Sequence, residues 1–317
     1  MSAELDRAVR TVVRECMNVS PGEELLVICN PVTEEIGALM RIEAQGDGAD
    51  ATLAVISERD SAAAEPPDAV AAAMAASDVV LAPTIQSLSH TAARKRASEA
   101  GVRIGTLPGV TEEMLTRLMG ADLEELRRRG WAICERLNGA SEARITCRHG
   151  SDLRLGIEGR LSIVDAGELG NRGAFGNLPC GEGFIAPVEG TAEGTLVVDG
   201  SIAEVGLLDT PTSLTIRGGH LTDVTGSDGA ALMELLTVHG PDGTNLAELG
   251  IGTNEEAILT GNILEDEKIL GTAHVAFGAS AAIGGTVQVP VHLDCVLLEP
   301  TVEIDGETVV SGGDLLV

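Results

Sequence analysis

The residues best equipped for chemistry lie near the C-terminal end. The run Asn262-Ile-Leu-Glu265-Asp266-Glu267-Lys268-Ile-Leu-Gly-Thr-Ala-His274-Val-Ala-Phe277-Gly is followed by Val291-His292-Leu-Asp294. Two of the six histidines fall here, among carboxylates. His292 and Asp294 stand at i and i+2 in a β-branched run with Val287, Val289, Val291 and Val296. On a strand that spacing points both side chains to one face. An imidazole and a carboxylate converging from one face, joined by a second histidine, is how a divalent-metal site begins.

Two more carboxylates fit the same chemistry. Glu182 sits in Asn177-Leu-Pro-Cys-Gly-Glu182-Gly-Phe184-Ile-Ala-Pro187, and Glu248 in Asn245-Leu-Ala-Glu248-Leu-Gly-Ile-Gly-Thr-Asn254. Each is embedded in glycine and apolar residues rather than in a charge run. Taken singly, each reads as an exposed turn residue. A buried, unpaired carboxylate is costly, however, and a metal is a natural partner for one. Glu182, Glu248, His274, His292 and Asp294 together supply three carboxylates and two imidazoles, enough for one or two divalent ions.

The chain has three Phe, one Trp and no Tyr. All three phenylalanines, Phe175, Phe184 and Phe277, fall in or near these segments, and Phe184 and Phe277 are candidates for an apolar pocket wall beside the polar cluster. Ser280 and His239 are further pocket candidates. Gly278-Ala-Ser280 lacks the second glycine of a nucleophile elbow, which argues against a serine hydrolase. Cys180 stands two residues from Glu182, but nothing in its setting marks an activated thiolate.

These segments need a scaffold, and 317 residues exceed what one core usually organises. We expect an α/β domain over residues 1–138, including a connecting helix, and a β-rich metal-site domain over 139–317. In the first, Leu25–Cys29, Ala51–Ile56, Val79–Leu81 and Val102–Thr106 are short, continuously apolar runs. They alternate with helical spacing over 3–18, from Thr33, over Asp68–Ala76 and over Thr91–Ala100. This alternation predicts a doubly wound parallel sheet. Neither a G-x-G-x-x-G after the first strand nor a Walker-type Gly-Lys-Ser/Thr occurs, which removes the usual nucleotide sites. In the loop Pro83–Thr91, helix N-terminal amides could face a ligand carboxylate. The preferred reading is that Ser89, His90 and Thr91 cap the helix.

Residues 121–138 read as a long helix ended by Asn138-Gly139. Beyond it the texture turns Gly-rich with short strands, hairpin signals at Asp199-Gly200 and Asp305-Gly306, a turn at Arg217-Gly-Gly-His220, and one helix near Ser227–Val238. We expect a distorted barrel or sandwich. Residues 151–317 carry 26 acidic against 5 basic residues, a net of −21 within a whole-chain charge of −28. Such a surface repels nucleic acid and anionic lipid. No apolar run approaches the ~18 residues of a membrane span, and no signal peptide opens the chain. Six scattered cysteines without a Cys-x-x-Cys pair suggest thiols in a reducing cytoplasm.

The four site segments, in this order, resemble the aminopeptidase T and aminopeptidase S family of metallopeptidases. Ser87-Leu-Ser-His-Thr-x-Ala-Arg94 and Gly101-Val-Arg-Ile-Gly-Thr-Leu-Pro-Gly109 extend the resemblance over the first half. It implies an α/β N-terminal domain, a β-rich domain with a two-metal site, and a homodimer or higher homo-oligomer that removes N-terminal residues from short peptides. The family's metal positions fall on Glu182, Glu248, His274, His292 and Asp294. The implied activity is a cytoplasmic metallo-aminopeptidase with two Zn, Co or Mn ions. Glu182 or Glu248 would bridge the metals or take a proton from the bound water. One position departs: the family Tyr seven residues after the motif histidine is Ala281 here, and the segment between His274 and His292 is shorter. A related branch, similar to 2,5-dihydroxypyridine dioxygenase, uses one iron for ring cleavage and includes a Ser ligand. The alternative expectation is therefore a mononuclear Fe(II) ring-cleaving dioxygenase using His274, His292 and Asp294, and a third is a metal-storing or catalytically retired relative.

Overall fold

A computed structural model of the chain describes residues 2–61 and 64–317. It divides into two compact units, Met1–Leu123 with Asp165–Cys180, and Glu124–Val164 with Gly181–Val317.

The first unit holds a five-stranded parallel sheet in the order Asp50–Val55, Glu24–Cys29, Val79–Ala82, Arg103–Thr106, Phe175–Asn177. Its central strands are buried along nearly their whole length, which is why they read as unbroken apolar runs. Leu26, Ile28, Val80 and Ile104 pack against Met74, Ala93 and Ala97 of the helices Asp68–Ala76 and Ala92–Ala100. The fifth strand, Phe175–Asn177, was not expected from the sequence: Phe-Gly-Asn has little strand propensity and is held by its ladder to Arg103–Thr106. The helix Ala92–Ala100 is capped by Thr91, whose hydroxyl accepts from the Arg94 amide. The free amides of Ala92 and Ala93 donate to the two oxygens of Glu65 at 2.5 and 3.0 Å. An acid of the chain itself thus fills the place where a ligand carboxylate was considered.

The second unit is built from an eight-stranded and a seven-stranded sheet, and of the two expected forms it is the sandwich that is found. Ile145, Leu153, Leu155, Leu196 and Leu214 from one sheet and Leu249, Ile251, Val275, Phe277 and Leu297 from the other share one core. Ile133 and Leu137 join it, so the helix Leu123–Leu137, read from the sequence as leaving the first domain, groups with the second unit from Glu124 onward. Asp305-Gly306 turns a true hairpin between Pro300–Ile304 and Glu307–Ser311. Asp199-Gly200 does not. There the chain leaves the eight-stranded sheet at Val198 and enters the seven-stranded sheet at Ser201, pairing Ile202 with Cys295 instead of folding back.

Candidate metal centre

Four adjacent strands of the seven-stranded sheet carry all five expected ligands: Glu182–Ile185, Leu246–Gly252, Ala273–Gly278 and His292–Leu297. Their antiparallel register fixes which face each residue occupies. Glu182 lies opposite Gly252, His274 opposite Gly250 and Val296, Ala276 between Glu248 and Asp294, and His292 opposite Gly278. The alternating residues Ile185, Leu249, Ile251, Val275, Phe277, Leu293, Cys295 and Leu297 all belong to the core. The polar set therefore occupies the sheet's other face as a consequence of the two-residue strand period. An irregularity between Leu246 and Glu248 inserts one extra residue, so that Leu246 stays in the core while Glu248 points out of it.

The five side chains converge. His274 Nε2 stands 3.0 Å from Glu182 Oε2 and 3.3 Å from Glu248 Oε1. His292 Nε2 stands 3.3 Å from Glu248 Oε2 and 3.6 Å from Asp294 Oδ1. Two groups could each hold a metal ion, Glu182–Glu248–His274 and Glu248–His292–Asp294, with Glu248 common to both. His292 Nδ1 donates to the Ala279 carbonyl at 2.8 Å. A carbonyl only accepts, so Nδ1 carries the proton and Nε2 is left to the site. His274 is fully buried, and among the described residues its Nδ1 has no hydrogen-bond partner. Its one engaged nitrogen is the one aimed between the carboxylates.

Empty space in the backbone makes this possible. A Cβ on Gly250 would stand 2.0 Å from His274 Nε2, so only glycine lets the imidazole fold across the neighbouring strand. A Cβ on Gly252 would meet the Ile269 carbonyl oxygen at 2.1 Å. The Lys268–Ile269 backbone presses into that gap, and the Lys268 carbonyl accepts from the Asn254 amide at 2.9 Å. Lys268 is thereby fully buried, with Nζ 2.9 Å from Glu182 Oε1 and 2.6 Å from Glu267 Oε1.

The charges answer one another. Burial opposes the charged form of every member, but the partners win. Lys268 and His274 hold Glu182 below the usual carboxylate range, and His274 and His292 do the same for Glu248. The imidazole of His292 likewise keeps Asp294 ionised. The carboxylates raise both histidines well above the ordinary imidazole value. Buried acids and imidazoles that share protons in this way are the arrangement a divalent cation can enter by displacing those protons. The donor set, carboxylate oxygen with imidazole nitrogen, fits Fe(II), Mn(II) or Zn(II) and offers no thiolate.

Other expected residues are placed elsewhere. Phe184 is half-buried on the ligand-bearing face, in register with Gly250. Phe277 is fully buried in the hydrophobic core on the opposite face and cannot line a pocket beside the ligands. The structure brings neither Ser280 nor His239 into the cluster of ligands. Ser280 Oγ donates to Glu189 Oε1 at 3.2 Å, and the His239 amide closes the end of a helical turn on the Leu236 carbonyl. Lys268 and Gly250 were missed from the sequence. Their signals were a lysine directly after three acids and the Gly-Ile-Gly following Glu248.

Comparison with known proteins settles the family. The family model for 2,5-dihydroxypyridine 5,6-dioxygenase matches residues 5–317. The chain belongs to that family. A curated relative, the 2,5-dihydroxypyridine 5,6-dioxygenase of Pseudomonas putida, is 25% identical over 263 residues, 77% of this chain and 72% of that one. The solved structure of a 2,5-dihydroxypyridine dioxygenase from Pseudomonas putida KT2440 superposes with a TM-score of 0.87 at 20% identity, covering 100% of this chain and 99% of that one. Wild-type AmpT from Thermus thermophilus gives 0.73 at 18% identity, with 99% of each chain covered. The fold is common to both. The expected aminopeptidase, a hydrolase and protease, is overturned by the family match, which runs over nearly the whole chain and names an oxygenase. No helix among the described residues is long and apolar enough to cross a membrane.

Proposed function

We propose that this protein is a non-haem iron dioxygenase that opens the ring of a hydroxylated pyridine, with 2,5-dihydroxypyridine, the compound named for its relatives, as the first substrate to test. The observation that carries the reading is the cluster of imidazoles and carboxylates on one sheet face, in a chain matched along residues 5–317 by the dioxygenase family. Glu248, His292 and Asp294 would hold the iron, with His274 the next donor across Glu248. Glu182 is the least available of the five, because Lys268 already engages its Oε1. Bound Fe(II) would supply the open positions and the electron traffic that let O2 react with an aromatic ring. The remaining steps fall to the chain. His292 presents Nε2 because Ala279 holds its other nitrogen. Phe184, half-buried on the same face, offers an aromatic surface against which a flat ring can stack. The ion pair of His274 Nε2 with Glu182 Oε2, 3.0 Å apart, holds both side chains in place beside the site.

The test is oxygen uptake. Protein freed of metal, loaded with Fe(II) without air and mixed with 2,5-dihydroxypyridine should consume O2 and substrate in equal amounts, since both oxygen atoms enter the product. His292→Ala should abolish uptake. Absence of uptake from the Fe(II)-loaded protein across a panel of mono- and dihydroxylated pyridines would sink the proposal.

A further inference from the structure

We infer that Glu189 is a positioning residue for His292, acting through the loop that joins the His274 and His292 strands; this rests on the reading of His292 as a metal ligand. Glu189 lies outside that loop, four residues beyond the end of the Glu182 strand. Its carboxylate and the guanidinium beside it grip the loop at three places. Glu189 Oε1 accepts from the Thr286 amide at 2.6 Å and from Ser280 Oγ at 3.2 Å. Glu189 Oε2 accepts from Arg160 Nη2, and Arg160 Nη1 donates in turn to the Gly284 carbonyl. Arg160 and Glu189 are mostly buried, with 15% and 24% of their side chains exposed, so solvent only partly weakens the pair.

Inside the loop the contacts run on to the site. The Val287 amide donates to Ser280 Oγ at 3.2 Å, and the Ser280 and Ala281 amides both donate to the Val287 carbonyl at 3.0 Å. The Ala279 amide donates to the Val291 carbonyl at 2.8 Å, and the Ala279 carbonyl receives His292 Nδ1 at 2.8 Å. Ser280, held by Glu189, is the next residue in the chain after Ala279. The clasp therefore fixes the carbonyl that sets both the tautomer and the ring orientation of His292. Without it the loop loses three tethers, and the imidazole can turn its nitrogens away from Glu248 and Asp294. Partners that orient a ligating histidine in this way are worth about 10- to 100-fold in metal affinity.

The experiment titrates Zn(II) and Co(II) into metal-free wild-type protein, Glu189→Ala, Glu189→Gln and Ser280→Ala. Glu189→Ala should bind Zn(II) about 10- to 100-fold more weakly and give an altered Co(II) absorption spectrum. Glu189→Gln keeps an oxygen for Thr286 and Ser280 and should recover most of the affinity and the wild-type spectrum. Ser280→Ala removes one hydroxyl and tests the same link should Glu189→Ala fail to fold. Glu189→Ala or Ser280→Ala with wild-type affinity and spectrum would overturn the inference while leaving the dioxygenase reading intact. Wild-type protein that binds neither ion would overturn the metal reading, and the inference with it.

Discussion

The imidazole of His274 lies across Gly250, so that a Cβ on that glycine would stand 2.0 Å from Nε2. His274 is fully buried and its ring is also fixed by Glu182 and Glu248, so it has no room to move aside. Gly250→Ala should therefore displace the ring from between the two carboxylates. Displacements on the order of 1 Å at a reacting centre cost about 100-fold in rate. We expect turnover to fall by about that factor and metal content per chain to fall with it. Turnover of Gly250→Ala within a factor of about three of wild type would show that the ring can relax, and that Gly250 is not needed for the site.

How much of this could be read beforehand follows from what each residue depends on. Leu25–Cys29 and Val79–Ala82 show themselves because a strand buried on both faces must be apolar throughout. The five candidate ligands show themselves because a polar side chain isolated among glycines and aliphatics needs a partner. Phe277 was misread as a pocket wall although its place was legible: it is three residues from His274, an odd number on a strand, so the two must face opposite ways. The three acids before Lys268 hinted at a partner, but its burial was not legible. Its burial depends on the gap at Gly252, which brings the Ile269 backbone against a strand distant in sequence. The reaction was legible least of all. Ala281 marks where a family tyrosine is missing but says nothing of what replaces its chemistry. Here Ala281 opens the short helical turn Ala281–Ile283.

Lys268 makes the next prediction. Its ammonium is wholly buried between Glu182 and Glu267, which are themselves almost fully buried. Lys268→Met keeps the volume and removes the charge, leaving the buried Glu182 carboxylate without its ammonium partner. Breaking a buried pair from one side costs about 3–5 kcal/mol. Urea denaturation near neutral pH should show a loss of that size, and adding Glu182→Gln should restore part of it by removing the stranded charge. A Lys268→Met protein within about 1 kcal/mol of wild type would mean that the carboxylates find other partners or take up protons at little cost.

The metal-free protein should lose stability as pH rises, and the sign follows from three kinds of group. His274 and His292 have pKa values raised well above the ordinary one; burial opposes this and is outweighed by their carboxylate partners. Their contribution is full below the ordinary imidazole value of about 6.5 and is lost as pH climbs through the folded values. Glu267 is pushed up to about 8, chiefly by burial. The folded chain keeps a proton that the unfolded chain gives up above 4.5, so this group lowers stability steadily between 4.5 and about 8. Glu182, Glu248 and Asp294 are depressed, and their contribution fails only in acid, as pH falls through their folded values. The melting temperature of chelator-treated protein should therefore fall between about pH 5.5 and about pH 8.5. Added metal should raise it more at the higher pH, where fewer protons must be displaced from the two imidazoles. A melting temperature that rises over that interval without metal would show that the histidines do not hold their protons in the folded protein.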